Sequence, residues 1–303
     1  MRARTALPAI FAVAALTLTG CADNSKDGAS GSAVKSSAVD VKKDGAVAAL
    51  LPAKVAKAGK LVIATSPNYA PNEYKDAAGK PIGWDIELGE AIAAKFGLKA
   101  EYQVAKFDNI IPGIRGGKID IGASSFTDNP KREKQVDFVN YYLAGVQWAS
   151  ATGKKVVDPS NACGLKVAVQ ATTFQDTDEV PAKSTACVKA GKAEIKKMPF
   201  ETQDAAATAV VLGQADAFSA DSPVSLYAIS KLKKLQPAGK TFDATPYGMA
   251  VAKSSGMAEA VRAALQSLVD DGSYAKILNK WGVADGGLKK ITINAGANTN
   301  GQT

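Results

Sequence analysis

With 303 residues, 46% of them hydrophobic and 22% charged, the chain has room for more than one core and the composition of a globular protein. It contains no histidine, which excludes a Ser-His-Asp or Cys-His catalytic site and removes the commonest metal ligand, and its three dispersed cysteines cannot make a zinc site. The net charge of +8 comes from 37 Lys and Arg interleaved with 29 Asp and Glu, a pattern of solvated surface, so no nucleic-acid partner is expected.

The first stretch, "MRARTALPAIFAVAALTLTGC", has a basic start and an apolar run from Ala6 to Leu18. The run is too short to span a bilayer and fits a secretory signal peptide over residues 1–20. Its ending, Leu18-Thr19-Gly20-Cys21, resembles the lipobox of bacterial lipoproteins. That resemblance implies a lipid on Cys21; the alternative is an ordinary signal peptide cleaved near a cysteine. Residues 21–45 are rich in Ser, Gly, Ala, Asp and Lys and have little to bury, as a flexible tether requires. Outside the cytoplasm thiols tend to pair, so Cys163 and Cys187 are expected to form one disulfide; two buried free thiols are the alternative.

From residue 46 a helix-like lead-in precedes a buried strand at 61–65. Leu88, Ile92 and Phe96 recur with helical spacing in a helix over 85–96, which Gly97 stops. A strand at 98–104, a helix at 107–115 and a strand at 119–123 follow. Strand alternating with helix implies a parallel sheet with crossovers. The second half repeats the scheme, with strands at 166–169, 194–198 and 215–219 and helices after Thr173 and over 202–212. A strand at 248–252 and a helix carrying Val261, Leu265 and Leu268 on one face close the chain before a polar tail. Two such α/β halves place ligand clefts at strand C-termini. Tyr69, then Ser124, Ser125 and Thr127, then Thr172 and Thr173, then Asp221 all sit just after strands.

One stretch breaks a local rule. In "SSFTDNPKREKQVDF", Asn129 reads as a helix N-cap and Pro130 as the first helical residue, so Lys131 and Arg132 fall in the first turn. Cations there oppose the helix dipole at a cost of about 0.3–1 kcal/mol each. An anionic ligand, which a guanidinium and free helix N-terminal amides would hold together, accounts for the placement. The plainer alternative is a surface Arg132 pairing with Glu133 or Asp137. Asp221 is also a good N-cap, and Tyr69 and Phe107 are also plausible core aromatics.

Several segments together resemble the family 3 extracellular solute-binding proteins, the polar amino-acid receptors of ABC importers. They are "GKPIGWDIELGEAIAAKFG", "FDNIIPGIRGGKIDIGASSFTDNPKREKQVDF" and "DGSYAKILNKWG", and the likeness runs over 59–282 in order and at family spacing. The resemblance implies an α/β, two-lobed periplasmic-binding-protein-like fold of type II with the cleft between lobes. The expected divisions are lobe 1 at 46–148 and 247–292, lobe 2 at 149–246 and a loose tail at 293–303. Two crossing strands are expected near 147–151 and 245–249. Arg132 falls on the arginine that holds the ligand α-carboxylate, and Asp221 on the aspartate that takes the α-ammonium. Tyr69 and Phe107 flank the ligand, with Ser124, Ser125 and Thr127 beside it, and the backbone amides of Thr172 and Thr173 meet the carboxylate. Ser66, Asn68 and Glu73 are candidates for the side-chain subsite.

The chain departs from the family pattern at Ser66, where Asp is frequent, at Pro71-Asn72-Glu73 in place of Pro-Phe-Glu, and at Thr172 in place of Gly. These departures favour an uncharged polar or acidic ligand side chain over Lys or Arg. The functional expectation is an extracytoplasmic receptor lipid-anchored through Cys21. It binds a polar amino acid as a monomer and delivers it to an importer permease and ATPase, with no cofactor, metal or catalytic residue. The alternatives are a cyclohexadienyl dehydratase-like enzyme on the same fold and a ligand-sensing module.

Overall fold

The computed structural model describes residues 40–296; the signal peptide, Cys21 and most of the expected tether lie outside them. Two short helices, α1 (Gly45–Ala48) and α2 (Ala53–Ala58), lead into strand β1 (Lys60–Thr65). A small antiparallel sheet follows, made of β2 (Asn68–Tyr69), β3 (Glu73–Lys75) and β4 (Pro81–Ile82). Helix α3 (Trp84–Phe96), β5 (Lys99–Val104), α4 (Phe107–Arg115) and β6 (Ile121–Thr127) complete a parallel unit in which β1 pairs with both β5 and β6. Gly97, in the left-handed region at φ 71°, closes α3, and Leu88, Ile92 and Phe96 are buried on its inner face.

A single turn, α5 (Pro130–Glu133), then opens the 15-residue strand β7 (Asp137–Ala151). The second lobe holds β8 (Lys166–Gln170), a π-helical turn at Gln175–Glu179, α6 (Val180–Lys189), β9 (Lys196–Phe200), α7 (Gln203–Val211), β10 (Ala217–Asp221) and α8 (Ser222–Lys231). Strand β11 (Leu235–Val251) returns to the first lobe, where α9 (Met257–Asp270), α10 (Ser273–Trp281) and β12 (Gly287–Ile293) finish it.

The two parallel units are not separate sheets. The strand order β5-β1-β6-β11-β7-β10-β8-β9 is one continuous sheet, with β12 also on β7. Its middle is antiparallel because β7 leaves the first lobe and β11 re-enters it, paired along their lengths. The first lobe's contacts to β7 from β12 end at Tyr142, and the second lobe's from β10 begin at Val146. The strand therefore changes lobes at 143–145, a few residues before the expected boundary at 148/149. Nearly every residue of β7 is buried, so no polar break marks the crossing in the sequence.

Four further expectations are corrected. The strand expected at 119–123 runs to Thr127, so Ser124, Ser125 and Thr127 lie in β6 rather than after it. The strand expected at 248–252 is the end of the 17-residue β11. Helix α5 is one turn long, too short for much dipole, although Asn129 caps it as expected by accepting from the Arg132 amide at 2.9 Å. The tail is not loose from residue 293. Asn294 bonds Phe138 and Asp137, Ala295 bonds Asn140, and Gly296 bonds Asp128.

One core cluster of the first lobe joins Trp84, Leu88 and Ile92 of α3 to Val261, Leu265 and Leu268 of α9 across β1 and β11. In the second lobe, Trp148, Val167 and Val180 pack with the half-cystine Cys187, which is bonded to Cys163. No helix among the described residues is long and apolar enough to cross a membrane.

Candidate functional site

The loops after β1 and β8 and the ends of β6 and β10 converge on a narrow cavity between the lobes. Its lining includes ten of the twelve residues expected from sequence. Ser66, Tyr69, Glu73, Phe107, Ser124, Ser125, Thr127 and Arg132 form the first-lobe wall; Thr173 and Asp221 face them.

Arg132 is aimed by its neighbours. Its Nη1 donates to the Thr127 carbonyl at 2.8 Å, and its Nη2 crosses the cleft to the Thr172 carbonyl at 3.0 Å. The Phe107 and Phe126 rings stack at 4.5 Å and lie 5.5 and 5.7 Å from the guanidinium carbon. Cation–π attraction thus holds the group from one side. Burial lowers the Arg132 pKa to about 10, against the pull of Asp221 and other acids. The pairing with Glu133 or Asp137 is not found: Asp137 is paired with Lys253.

On the opposite wall, Asp221 accepts from the Tyr69 hydroxyl at 2.8 Å and from Gln175 Nε2 at 2.7 Å. It stands at the start of α8 but makes no side-chain cap bond, so the N-cap reading fails and the carboxylate faces the cavity. Burial raises its pKa, opposed by the Gln175 and Tyr69 hydrogen bonds and by the Arg132 charge.

The third polar group is Glu73, which is buried. Its Oε1 accepts from the Ser124 hydroxyl and its Oε2 from the Ser125 hydroxyl, both at 3.0 Å. Burial holds its pKa well above the carboxylate range, and the charge of Asp85 adds to the rise. Ser125 is held at φ 49° in the middle of a strand, a strained position of the kind that collects at functional sites.

Two expected residues do not line the cavity. Asn68 donates to Ser66 Oγ and accepts from Gln170 Nε2, both at 3.0 Å, so it serves as a strut between lobes. Thr172 contributes only its carbonyl. Its amide, expected to face a carboxylate, already donates to Asp176 at 2.8 Å, and its φ of 65° is one that glycine would tolerate better. Sequence reasoning missed Gln170, Phe174 and Gln175. Gln170 ends a strand, the position that marked the others, and Gln175 opens a π-helical turn, a feature frequent at functional sites that sequence periodicity does not show.

The chain's likenesses agree with this geometry. The family model of bacterial extracellular solute-binding proteins, family 3, matches residues 61–284. The arginine-binding protein ArgT of Corynebacterium glutamicum is 42% identical over 250 residues, covering 82% of each chain. Two solved structures of an ancestral arginine-binding protein each cover 74% of this chain and 98% of their own. The one bound to arginine has a TM-score of 0.68 at 32% identity, and the one bound to glutamine 0.66 at 33%.

Proposed function

The chain belongs to the bacterial extracellular solute-binding proteins of family 3, and from that premise we propose that it captures a free amino acid between its lobes for an ABC importer. The observation that carries this reading is the pair Arg132 and Asp221, opposite charges on opposite walls of one cavity between the lobes. The ligand carboxylate takes the unused N–H groups of Arg132, and the ligand ammonium takes Asp221. Contacts to both lobes favour the closed state, so binding and closure are one equilibrium.

The side chain then points toward Glu73. A zwitterion neutralises Arg132 and Asp221 and leaves Glu73 as the remaining acid in the lining. A cationic side chain satisfies it, and a neutral amide can hydrogen-bond to it when it is protonated. The sequence expectation of an uncharged polar or acidic ligand is therefore revised toward a basic one. Ser66 has lost the family's frequent Asp, but Glu73 supplies the anion from a neighbouring strand, and the arginine-binding relative supports the revision.

A thermal-shift screen of the common amino acids tests the reading, because a ligand stabilises the folded state by RT ln(1 + [L]/Kd). L-Arginine, with L-lysine and L-glutamine behind it, is expected to raise the melting temperature. A screen in which no amino acid does so refutes it. Delivery from the membrane through lipid on Cys21 belongs to the same proposal, and loss of acyl labelling in Cys21→Ser checks it.

A further inference from the structure

Behind the hydroxyl-lined end of the cleft, two carboxyl groups share one hydroxyl donor. The sequence brings them together through Gly83. A Cβ there would fall 2.0 Å from the Asn72 carbonyl oxygen, so glycine alone lets the start of α3 reach this backbone. The Asp85 amide then donates to Asn72 O at 3.0 Å, and the Asp85 side chain lies under Glu73 and Ser125. The strained Ser125 backbone turns its amide onto Asp85 Oδ2 at 2.9 Å.

Three polar atoms surround Ser125 Oγ. Asn72 Nδ2 lies at 2.9 Å, Glu73 Oε2 at 3.0 Å and Asp85 Oδ2 at 3.3 Å. The Asn72 amide can only donate here, because its oxygen is fixed by Trp84 Nε1, a pure donor, at 2.8 Å. The Ser125 hydroxyl has a single proton and can serve one carboxylate. If both acids were ionised, the other would set a buried charged oxygen against a hydroxyl lone pair. One proton on the pair resolves this, since the neutral carboxyl donates to Oγ while Oγ donates to its partner.

We propose that Glu73 and Asp85 hold one proton between them through Ser125, and that this proton decides which ligand side chain the cleft accepts. It leaves to solvent when a cationic side chain binds and stays when a neutral amide binds. The inference rests on the preceding reading for the guest and deepens it. The titratable groups around the pair fit. Tyr141 and Tyr102 bear on Asp85, Tyr69 on Glu73, and Tyr247 lies 3.5 Å from Asn72; all are phenols kept neutral by burial. Across the cleft Arg132 is directed at Thr127 and Thr172, and Asp221 at Tyr69 and Gln175. Burial pushes Asp85 up to about 6 and Glu73 well above its ordinary range.

The test is calorimetric titration of the full chain with L-arginine and with L-glutamine, in buffers of different ionisation heat, from about pH 5 to about pH 8. Arginine is expected to release about one proton at the acid end, with affinity rising up to about tenfold per pH unit until the pair has titrated. Glutamine is expected to release none, and its affinity falls above that point. In Asp85→Asn, which keeps an acceptor for the Ser125 amide but cannot ionise, the arginine proton release and the pH slope disappear. Arginine binding that is tight, proton-neutral and flat with pH in the wild type overturns the shared proton and leaves the proposed function standing. Failure of both amino acids to bind overturns both.

Discussion

On the proposed reading, replacing Arg132 with alanine removes the cation that pairs with the ligand carboxylate and leaves both lobe cores intact. The guanidinium has five N–H donors, of which the Thr127 and Thr172 carbonyls use two. The rest suffice for a two-pronged grip on a carboxylate. Truncating one partner of such a pair costs about 2–5 kcal/mol, or roughly 30- to 4,000-fold in Kd. The same change removes the cation that favours ionised Asp221, so the ammonium end weakens too. Arg132→Lys keeps the charge but not the fork, and its loss should be intermediate. Calorimetry with L-arginine measures both variants, and a thermal melt confirms that each is folded. An Arg132→Ala protein that is folded and binds L-arginine within about threefold of wild type, well under the cost of a lost charged pair, refutes the placement of the carboxylate.

Thr172→Gly relieves a β-branched residue at φ 65° and is expected to stabilise the fold by about 1 kcal/mol in urea unfolding. Replacing Cys163 and Cys187 together by serine opens a loop spanning 24 positions and should cost about 3 kcal/mol in the same assay. Glu179, bonded to Trp148 and Ser219, is raised by burial from 4.5 to about 7. The folded state therefore holds this proton more tightly than the unfolded chain, and the stability it contributes is lost as pH rises from about 4.5 to about 7. Urea unfolding of Glu179→Gln should lack that decline, so that its stability relative to wild type rises by on the order of 2–3 kcal/mol across the window.

Much of the cleft was legible because its residues sit at strand ends and in motifs whose chemistry is local. Arg132 stood out by its position in a first turn, and the structure shows it lodged against two rings instead of paired on the surface. The long strands were legible only at their ends. Strand β7 is buried at almost every position, so it lacks the alternation that reveals a half-buried strand, and the hydroxyls of Ser124 and Ser125 disguised the end of β6. The Glu73–Asp85 contact was hidden for another reason. It depends on Gly83 allowing a close backbone approach and on the left-handed φ of Ser125, neither of which has a periodic signature.

The same sheet that joins the lobes also limits how strongly they are held together. Where β7 and β11 cross, their register shifts between Phe242 and Thr245, opposite Ala144 to Val146, and Asp243 sits at φ 47°. Gly145 lies against Thr241, where a Cβ would come within 2.4 Å of its methyl group, so the strands pass too closely for a side chain. Ala144 belongs to the first lobe's core and Val146 to the second's, so the crossing lies between the two cores. Across the cleft the lobes meet through the polar contacts Tyr69–Asp221, Arg132–Thr172, Asn68–Gln170 and the exposed pair Lys106–Glu201, beside the Tyr69 ring packed into the second lobe's core and the Tyr74–Tyr227 ring pair. The first two are charge-assisted and contribute about 1.5–3 kcal/mol each, the third about 1. An exposed pair adds little. Shifting two states from 1:99 to 99:1 takes about 5.5 kcal/mol, the same scale as these hydrogen bonds together. An amino acid that bonds Arg132 on one wall and Asp221 on the other favours the closed state, because it adds contacts to both lobes at the residues that already hold them together.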